Sequence, residues 1–205
     1  LIYNIAQWAY ISPFELLFKT YGGSGYDIAC AQSEGPILYR KNSQGPNWSP
    51  VTFDPTFKDQ LFFVYLGNKQ DSRQAIKEFN KKKPFSNEVI AEVSHITQEF
   101  LTAQDLKSFM FAIKKHEDLV SSLLAMPKVK EERFADFQGE VKSLGAWGGD
   151  FVLVASEMSK SEVRDYFKHK GLEVFLEYND LIQSPHLNEI NPDSVFSSLT
   201  SSMLQ

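Results

Sequence analysis

The run QLFFVYLG at residues 60–67 is the feature that most restricts how this chain can fold. It joins aromatic, β-branched and aliphatic side chains in one apolar stretch that ends at Gly67. Such a stretch is typical of a strand that is buried inside a sheet. The rest of the 205 residues must then supply the strands and helices that cover it.

The residues before this strand predict three helices and two strands. Ile2, Ile5, Ala6 and Ala9 recur at helical spacing, and this first helix ends near Ile11. The other predicted elements are a helix opened by the capping sequence Ser12-Pro13-Phe14-Glu15, a helix at about 26–33, and two strands, PILYRK and WSPVTF, around a turn at 42–47.

The residues after this strand predict mostly helices and then strands with one more helix. The helices run from Asp71 to the lysines at 81–83, from a cap at Ser86, from the capping sequence Thr102–Asp105 to about Ala125, and over 131–138. There follow a strand, a glycine turn and a strand in VKSLGAWGGDFVLVASE, a helix at 160–170, the strand LEVFLEY and a polar tail from Pro185. This order predicts an α+β fold, with a domain boundary between 67 and 86.

Composition argues against several classes of partner. The net charge is −5 and the isoelectric point is near 5.4, without a basic stripe, so we expect no nucleic-acid partner. The single cysteine, Cys30, leaves no internal disulfide and no cysteine zinc site, and we expect it to be a small core residue. No apolar run has the length of a membrane span and no signal peptide is visible. We therefore expect a cytoplasmic protein without a membrane partner.

Two glycine-rich turns carry the candidate chemistry. GGSGYD, at residues 22–27, places the carboxylate of Asp27 where a flexible loop meets an apolar helix. GAWGGD, at residues 145–150, joins two predicted strands. Taken alone, each motif also fits a turn that only redirects the chain, and Asp27 also fits a residue that caps its own helix.

Together and in this order, the two motifs resemble those of the GHMP kinases, the superfamily of galactokinase, homoserine kinase, mevalonate kinase and phosphomevalonate kinase. Gly23-Ser24-Gly25-Tyr26-Asp27 is similar to the GSGxD loop of the mevalonate branch. Residues 142–150 are similar to the late K-x-S/T-G-A-G-G-G turn, except at Leu144 and Trp147. FFVYLGNKQDSRQAI resembles the family's substrate-side strand and turn, and GYDIA resembles a subgroup of unassigned GHMP kinases. The likeness extends to about residue 183.

The resemblance implies a GHMP kinase fold. It divides the chain into the remainder of a ribosomal-protein-S5-like amino-terminal domain at 1–70, a ferredoxin-like carboxy-terminal domain at 71–183 and a polar tail at 184–205. In that family a phosphate loop and a catalytic lysine precede the helix with which this chain begins. Because the chain starts at Leu1 within a helical pattern, we expect a fragment that lacks both and that alone is inactive and binds ATP weakly.

The resemblance also implies roles for individual residues. Asp27 would be the catalytic base, which takes the proton of the acceptor hydroxyl. The substrate-binding residues would be Gly23, Ser24, Gly25, Lys69 and Ser72, and the wall facing substrate and phosphates would be Gly145, Ala146, Gly148 and Gly149. A solvated surface position is the alternative for Lys69, and a plain hairpin is the alternative for the later turn.

The implied function is an ATP-dependent kinase that phosphorylates an alcohol oxygen of a small acid, most like mevalonate kinase. ATP and Mg²⁺ are the implied cofactors, although Leu16 stands where the family's magnesium-binding glutamate is usual and Glu15 has a capping role. A diphosphomevalonate decarboxylase-like enzyme and a non-catalytic GHMP-fold binding protein are the alternatives. A homodimer stays open. His116, on the apolar stripe of its helix, is expected to be a core or interface histidine.

Overall fold

The computed structural model describes residues 1–42, 44–67, 81, 85–145, 147 and 149–182. These residues belong to two compact units, one of Leu1–Thr52 with Ile182 and one of Phe53–Leu181. Within the described ranges, no helix is long and apolar enough to cross a membrane. The helix predicted from Asp71 lies outside the described residues apart from Lys81, and so does the polar tail at 184–205.

The first unit contains three helices and one hairpin, as the sequence predicts. Its elements are α1 (Ile2–Trp8), α2 (Pro13–Thr20), α3 (Tyr26–Ala31), β1 (Ile37–Asn42) and β2 (Gly45–Pro50).

The start of α2 follows its capping sequence only in part. The Ser12 hydroxyl accepts a hydrogen bond from the Glu15 N–H at 3.4 Å, and Pro13 occupies the first helical position. The Glu15 carboxylate, predicted to complete a capping box, pairs instead with Lys19 one turn later, at 2.6 Å. The cap therefore fixes where α2 begins, while the glutamate stabilises its exposed face.

The hairpin of the first unit is tighter than the sequence suggests. β1 and β2 pair antiparallel from Ile37 opposite Pro50 to Asn42 opposite Gly45. Because Asn42 is already paired with Gly45, the turn is shorter than the predicted 42–47 and the second strand begins earlier than WSPVTF.

The second unit combines one sheet with helices. Its elements are a short 3-10 helix (Lys58–Gln60), β3 (Leu61–Tyr65), α4 (Asn87–Thr102), α5 (Leu106–Leu124), α6 (Val129–Arg133), β4 (Glu140–Ser143), β5 (Phe151–Ala155), α7 (Lys160–His169), β6 (Phe175–Glu177) and α8 (Tyr178–Leu181).

The sheet of the second unit has the strand order β4-β5-β3-β6, with every neighbouring pair antiparallel. Along the chain, one strand, helices, two strands, a helix and a last strand follow one another, which is the ferredoxin-like arrangement that the sequence predicts. Leu61, Phe62, Phe63 and Val64 are all buried, which confirms QLFFVYLG as a buried strand.

The division between the two units comes earlier than the boundary predicted at residue 70. It falls between Thr52 and Phe53. The physical reason is strand pairing, because β3 lies between β5 and β6 and is the first strand of the ferredoxin-like sheet. The segment that leads into β3 therefore belongs with the second unit.

Serine and aspartate side chains start the two long helices. The Ser86 hydroxyl accepts from the Val89 N–H at the start of α4, as predicted. At the start of α5, the Asp105 carboxylate accepts from the Ser108 N–H at 2.7 Å. Asp105 is thus the cap itself, and Thr102, predicted to open this helix, is the last residue of α4. Two helix ends only a few residues apart explain the error.

The core of the second unit lies around the sheet, α6 and α7. It is formed by apolar side chains that are at most 8% exposed: Phe62, Val64, Leu66, Val129, Phe134, Phe137, Val141, Val152, Val154, Val163, Phe167, Leu172 and Phe175. Burial of this kind stabilises by about 25 cal/mol for each Å² of apolar surface removed from water. It holds β4 and β5, the two strands that flank the later glycine turn, in a fixed frame.

Gly139, which precedes β4, has no room for a side chain. A Cβ atom there would lie 2.5 Å from the Ala155 carbonyl oxygen and 2.7 Å from the Phe137 ring. We expect Gly139→Ala to lower the free energy of unfolding by about 1–3 kcal/mol, because backbone must move to admit the methyl group. Chemical denaturation measures this. Gly35→Ala is the matched control, since a Cβ at Gly35 meets no atom within 4 Å; equal losses in the two variants would contradict the steric argument.

Candidate functional site

The loop of the first motif has a backbone that favours glycine. Gly22, Gly23 and Gly25 have φ angles of +71°, +102° and +90°. This region is strained for residues with a Cβ, so the loop depends on glycine at these positions. Gly25 also precedes α3 directly as its N-cap residue. The chain can therefore turn sharply out of the loop and into the helix that carries Asp27.

Gly25 is also needed for space. A Cβ atom at this position would lie 3.1 Å from two carbon atoms of the Phe14 ring and 3.4 Å from the Tyr39 hydroxyl. Phe14 in turn packs against Trp48 of β2 in a tilted arrangement, with the ring centroids 5.5 Å apart. The loop is therefore pressed against aromatic side chains of α2 and the hairpin.

Two side chains of β1 hold the loop from the hairpin. The Tyr39 hydroxyl donates to the Ser24 carbonyl at 2.5 Å, and the Lys41 ammonium donates to the Gly23 carbonyl at 2.8 Å. Lys41 also lies over the Phe18 ring, 4.5 Å from its centroid. Neither residue belongs to a motif in the sequence. Their only signal is that they lie two positions apart in a strand and so share one face.

Asp27 lies in the first turn of α3 and is exposed to solvent. Burial raises the pKa of Tyr39 and of Tyr26, and the nearby Asp27 charge raises both further. Within the described ranges the Asp27 carboxylate accepts no side-chain or backbone hydrogen bond, so the alternative role of capping α3 has no bond to support it. The carboxylate is open to a ligand beside the glycine loop.

Cys30 is not the small core residue that the sequence predicts. It is exposed, whereas Ile28 and Ala29 are buried at 3% and 0%. α3 has only six residues and buries one narrow face, and Cys30 lies outside that face. Partial removal of the thiol from water raises its pKa, and the Asp27 charge adds to this effect.

The second glycine turn follows β4 in the second unit. Gly145 is exposed with φ +69°, and Gly149 is buried. Trp147 departs from the family pattern, and its indole N–H donates to the Pro127 carbonyl at 3.2 Å, which ties the turn to the segment before α6. Ala146 and Gly148 lie outside the described residues.

A buried ion pair lies at the strand end from which this turn leaves. The Glu117 side chain, on α5, is 3% exposed, and one of its oxygens lies 3.5 Å from the Lys142 ammonium. Its other oxygen accepts from the Ser143 N–H at 3.2 Å. Burial lowers the pKa of Lys142, against the opposing influence of Glu117.

His116 lies beside this pair. Its Nδ1 is 3.3 Å from a Glu117 oxygen, and its ring meets the Phe100 ring edge-on. The side chain is 24% exposed. It therefore packs between α4 and α5 in a partly buried position.

Solved structures with a similar fold include two kinases. Streptococcus pneumoniae phosphomevalonate kinase in complex with phosphomevalonate and AMPPNP matches 85% of this chain and 64% of its own, with a TM-score of 0.62 and 16% identity. L. major mevalonate kinase in complex with R-mevalonate matches 80% of this chain and 55% of its own, with a TM-score of 0.59 and 18% identity.

A third similar structure is the Lin0012 protein from Listeria innocua, which matches 85% of this chain and 62% of its own, with a TM-score of 0.64 and 14% identity. No protein-family model and no curated protein sequence matches the chain.

The chain has the GHMP kinase fold. It spans between 55% and 64% of the length of the three structures. This confirms the α+β class and the GHMP kinase fold predicted from the two motifs.

Part of the site predicted for this GHMP kinase fold lies beyond the described residues. Lys69 and Ser72, predicted to bind substrate, are outside them. Among the residues that the structure does describe, no group of three or more His, Cys, Asp or Glu side chains could hold a metal ion.

Proposed function

We propose that the protein containing this chain is an ATP-dependent kinase that transfers a phosphoryl group to an alcohol oxygen of a small acid, most like mevalonate kinase. The observation that carries the proposal is the GHMP kinase fold, which extends over 80% to 85% of the chain. One similar kinase was crystallised with phosphomevalonate and AMPPNP and another with R-mevalonate. We further propose ATP as the phosphate donor and a cytoplasmic location.

Asp27 is the base in the proposed reaction. The acceptor hydroxyl oxygen attacks the γ-phosphorus of ATP, the bond from that phosphorus to the bridging oxygen breaks, and ADP leaves. The hydroxyl proton passes to the Asp27 carboxylate. Its exposed position and its lack of hydrogen bonds within the described ranges support this role, because a base must be able to meet the substrate.

The loop before Asp27 supplies position rather than chemistry. Phosphoryl transfer depends mostly on the placement of donor, acceptor and charge. Tyr39 and Lys41 bind the carbonyls of Ser24 and Gly23, so the backbone that leads into Asp27 is held from β1. Gly23, Ser24 and Gly25 then form the close backbone surface for the acceptor. Lys69 and Ser72 are proposed as further substrate-binding residues, with Lys69 as the partner of the acidic group.

The second glycine turn has a proposed role of its own. Gly145, Ala146, Gly148 and Gly149 face the substrate and phosphates in this proposal, because glycine lets backbone approach a ligand closely. The Trp147 indole N–H donates to the Pro127 carbonyl. This bond supports the proposal that the large side chain of the turn points away from the ligand.

A panel of acceptors tests the proposed function. The whole protein, with ATP and Mg²⁺, should consume ATP fastest with mevalonate among mevalonate, phosphomevalonate, diphosphomevalonate, homoserine and galactose. Residues 1–205 alone should bind ATP weakly and turn over none of them. Carbon dioxide release from diphosphomevalonate would instead indicate a decarboxylase, and binding without ATP consumption would indicate a non-catalytic protein.

A further inference from the structure

At the last residue of β4, side chains bind the backbone groups on the outer edge of the strand. β4 is an edge strand, paired only with β5 in the described sheet. The Leu144 N–H bonds to the Phe151 carbonyl across that pair, so the N–H and carbonyl of Ser143, one position earlier, point away from β5. These two groups need partners from outside the sheet.

Glu117 and Lys142 supply both partners. The Glu117 carboxylate accepts from the Ser143 N–H at 3.2 Å, and the Lys142 ammonium donates to the Ser143 carbonyl at 3.2 Å. Carboxylate and ammonium lie 3.5 Å apart, which closes a ring around the peptide groups of Ser143. Glu117 reaches this point from α5, so the ring joins a helix to the strand end.

The hydrogen-bonded ring of Glu117, Lys142 and Ser143 binds the backbone of Ser143 rather than its side chain. The Ser143 hydroxyl oxygen is buried and has no hydrogen-bond partner in the described part of the chain. Glu117, by contrast, is 2% exposed and uses both carboxylate oxygens. A buried carboxylate is costly unless it is paired, so its place at this strand end calls for an explanation beyond packing.

We infer that Glu117 is a positioning residue for the glycine turn at 145–150. It fixes the last strand residue before that turn, and so sets the direction in which the turn leaves the sheet. The consequence for catalysis rests on the proposed function, in which the turn faces the phosphates. A displacement of about 1 Å at such a wall can lower the rate on the order of 10²-fold.

Amide hydrogen exchange tests the positioning directly in the whole protein. In Glu117→Leu, the amide of Ser143 should exchange about tenfold faster or more, because a hydrogen bond to a charged acceptor is lost. The indole N–H resonance of Trp147 should shift, because this side chain reports on the turn. Glu117→Gln keeps an oxygen acceptor of the same size, and it should restore most of the protection at Ser143.

Two control variants separate positioning from general loss of stability. Ser143→Ala removes the unpartnered hydroxyl and keeps both peptide groups, so the amide of residue 143 should remain protected. Ile113→Ala opens a cavity in α5 one turn before Glu117, where Ile113 is 0% exposed. It should accelerate exchange across the domain without moving the Trp147 resonance.

The kinetic arm compares the same variants in the phosphoryl-transfer assay. Glu117→Leu should lower kcat/KM on the order of 10²-fold, Glu117→Gln should recover much of it, and Ile113→Ala should change KM for ATP less than twofold at a temperature where it is folded. Unchanged exchange at Ser143 in Glu117→Leu, or a uniform rise over all strands, overturns the inference. The inference is also overturned if the wild type is active and Glu117→Leu changes exchange at Ser143 but leaves kcat/KM unchanged. If the wild type transfers no phosphate, the proposed function has failed, and the exchange data alone decide whether Glu117 positions the turn.

Discussion

Asp27→Asn is expected to lower kcat for phosphoryl transfer by about 10²–10⁴-fold, because the acceptor hydroxyl loses the group that takes its proton. Asparagine has nearly the shape of aspartate, and the Asp27 side chain is exposed. Folding and ATP binding should therefore change little. The measurement is single-turnover phosphoryl transfer by the whole protein with the best acceptor, alongside calorimetry for ATP.

A neighbouring carboxylate provides the control for this experiment. Glu34 is exposed, lies shortly after α3 and has no proposed role in the reaction. Glu34→Gln removes the same charge from the same unit and should leave kcat within about twofold of wild type, as expected for a surface change. Turnover by Asp27→Asn within a few-fold of wild type would remove Asp27 from the role of base. A melting temperature that falls with activity would point to a structural role instead.

Local patterns in the sequence predict much of the fold. The apolar run that became β3, the serine cap at Ser86 and the glycines around both turns each depend on a few adjacent residues. The physical causes of such features are local: side-chain alternation, cap hydrogen bonds and positive φ angles. For this reason the elements and their order could be predicted.

The contacts that build the candidate site could not be predicted in the same way. Tyr39 reaches a carbonyl 15 residues away, and Glu117 reaches a backbone N–H 26 residues away. Neither pair leaves a spacing signal in one sequence, because the fold brings the partners together. Cys30 shows a related error on a short helix. Its place after Ala29 in an apolar helix predicted a core residue, whereas the helix buries only one narrow face and leaves Cys30 exposed.

The order of the two glycine motifs and the fold both indicate a likeness to GHMP kinases, but they explain different features of the chain. The motifs single out Asp27 and the two turns, whereas the fold explains why each turn has a fixed place. The loop before Asp27 is held by β1, and the later turn starts from a strand end held by α5. In both cases a charged or hydroxyl side chain binds backbone groups in or beside the glycine turn.

Lys142→Met is expected to lower the free energy of unfolding by about 3 kcal/mol, because it removes the ammonium partner of the buried Glu117 and leaves it with His116, 3.3 Å away, whose charge depends on protonation. The two side chains are 18% and 3% exposed, so solvent replaces little of the lost interaction. In a domain of this size the melting temperature should fall by about 6–12 °C. Denaturant titration of the variant and wild type measures the change. Lys107→Met is the control, since Lys107 and its partner Glu157 are 79% and 63% exposed and such pairs contribute little.

The double variant Glu117→Gln with Lys142→Met separates the ion pair from simple loss of a side chain. It removes the uncompensated charge and keeps an acceptor for the Ser143 N–H, so it should be more stable than Lys142→Met alone. The two changes should therefore couple by about 1–3 kcal/mol in a double-mutant cycle, as contacting charged groups do. Additive losses in the cycle would mean that Glu117 and Lys142 act independently. The ring around Ser143 would then be two separate hydrogen bonds rather than one electrostatic unit.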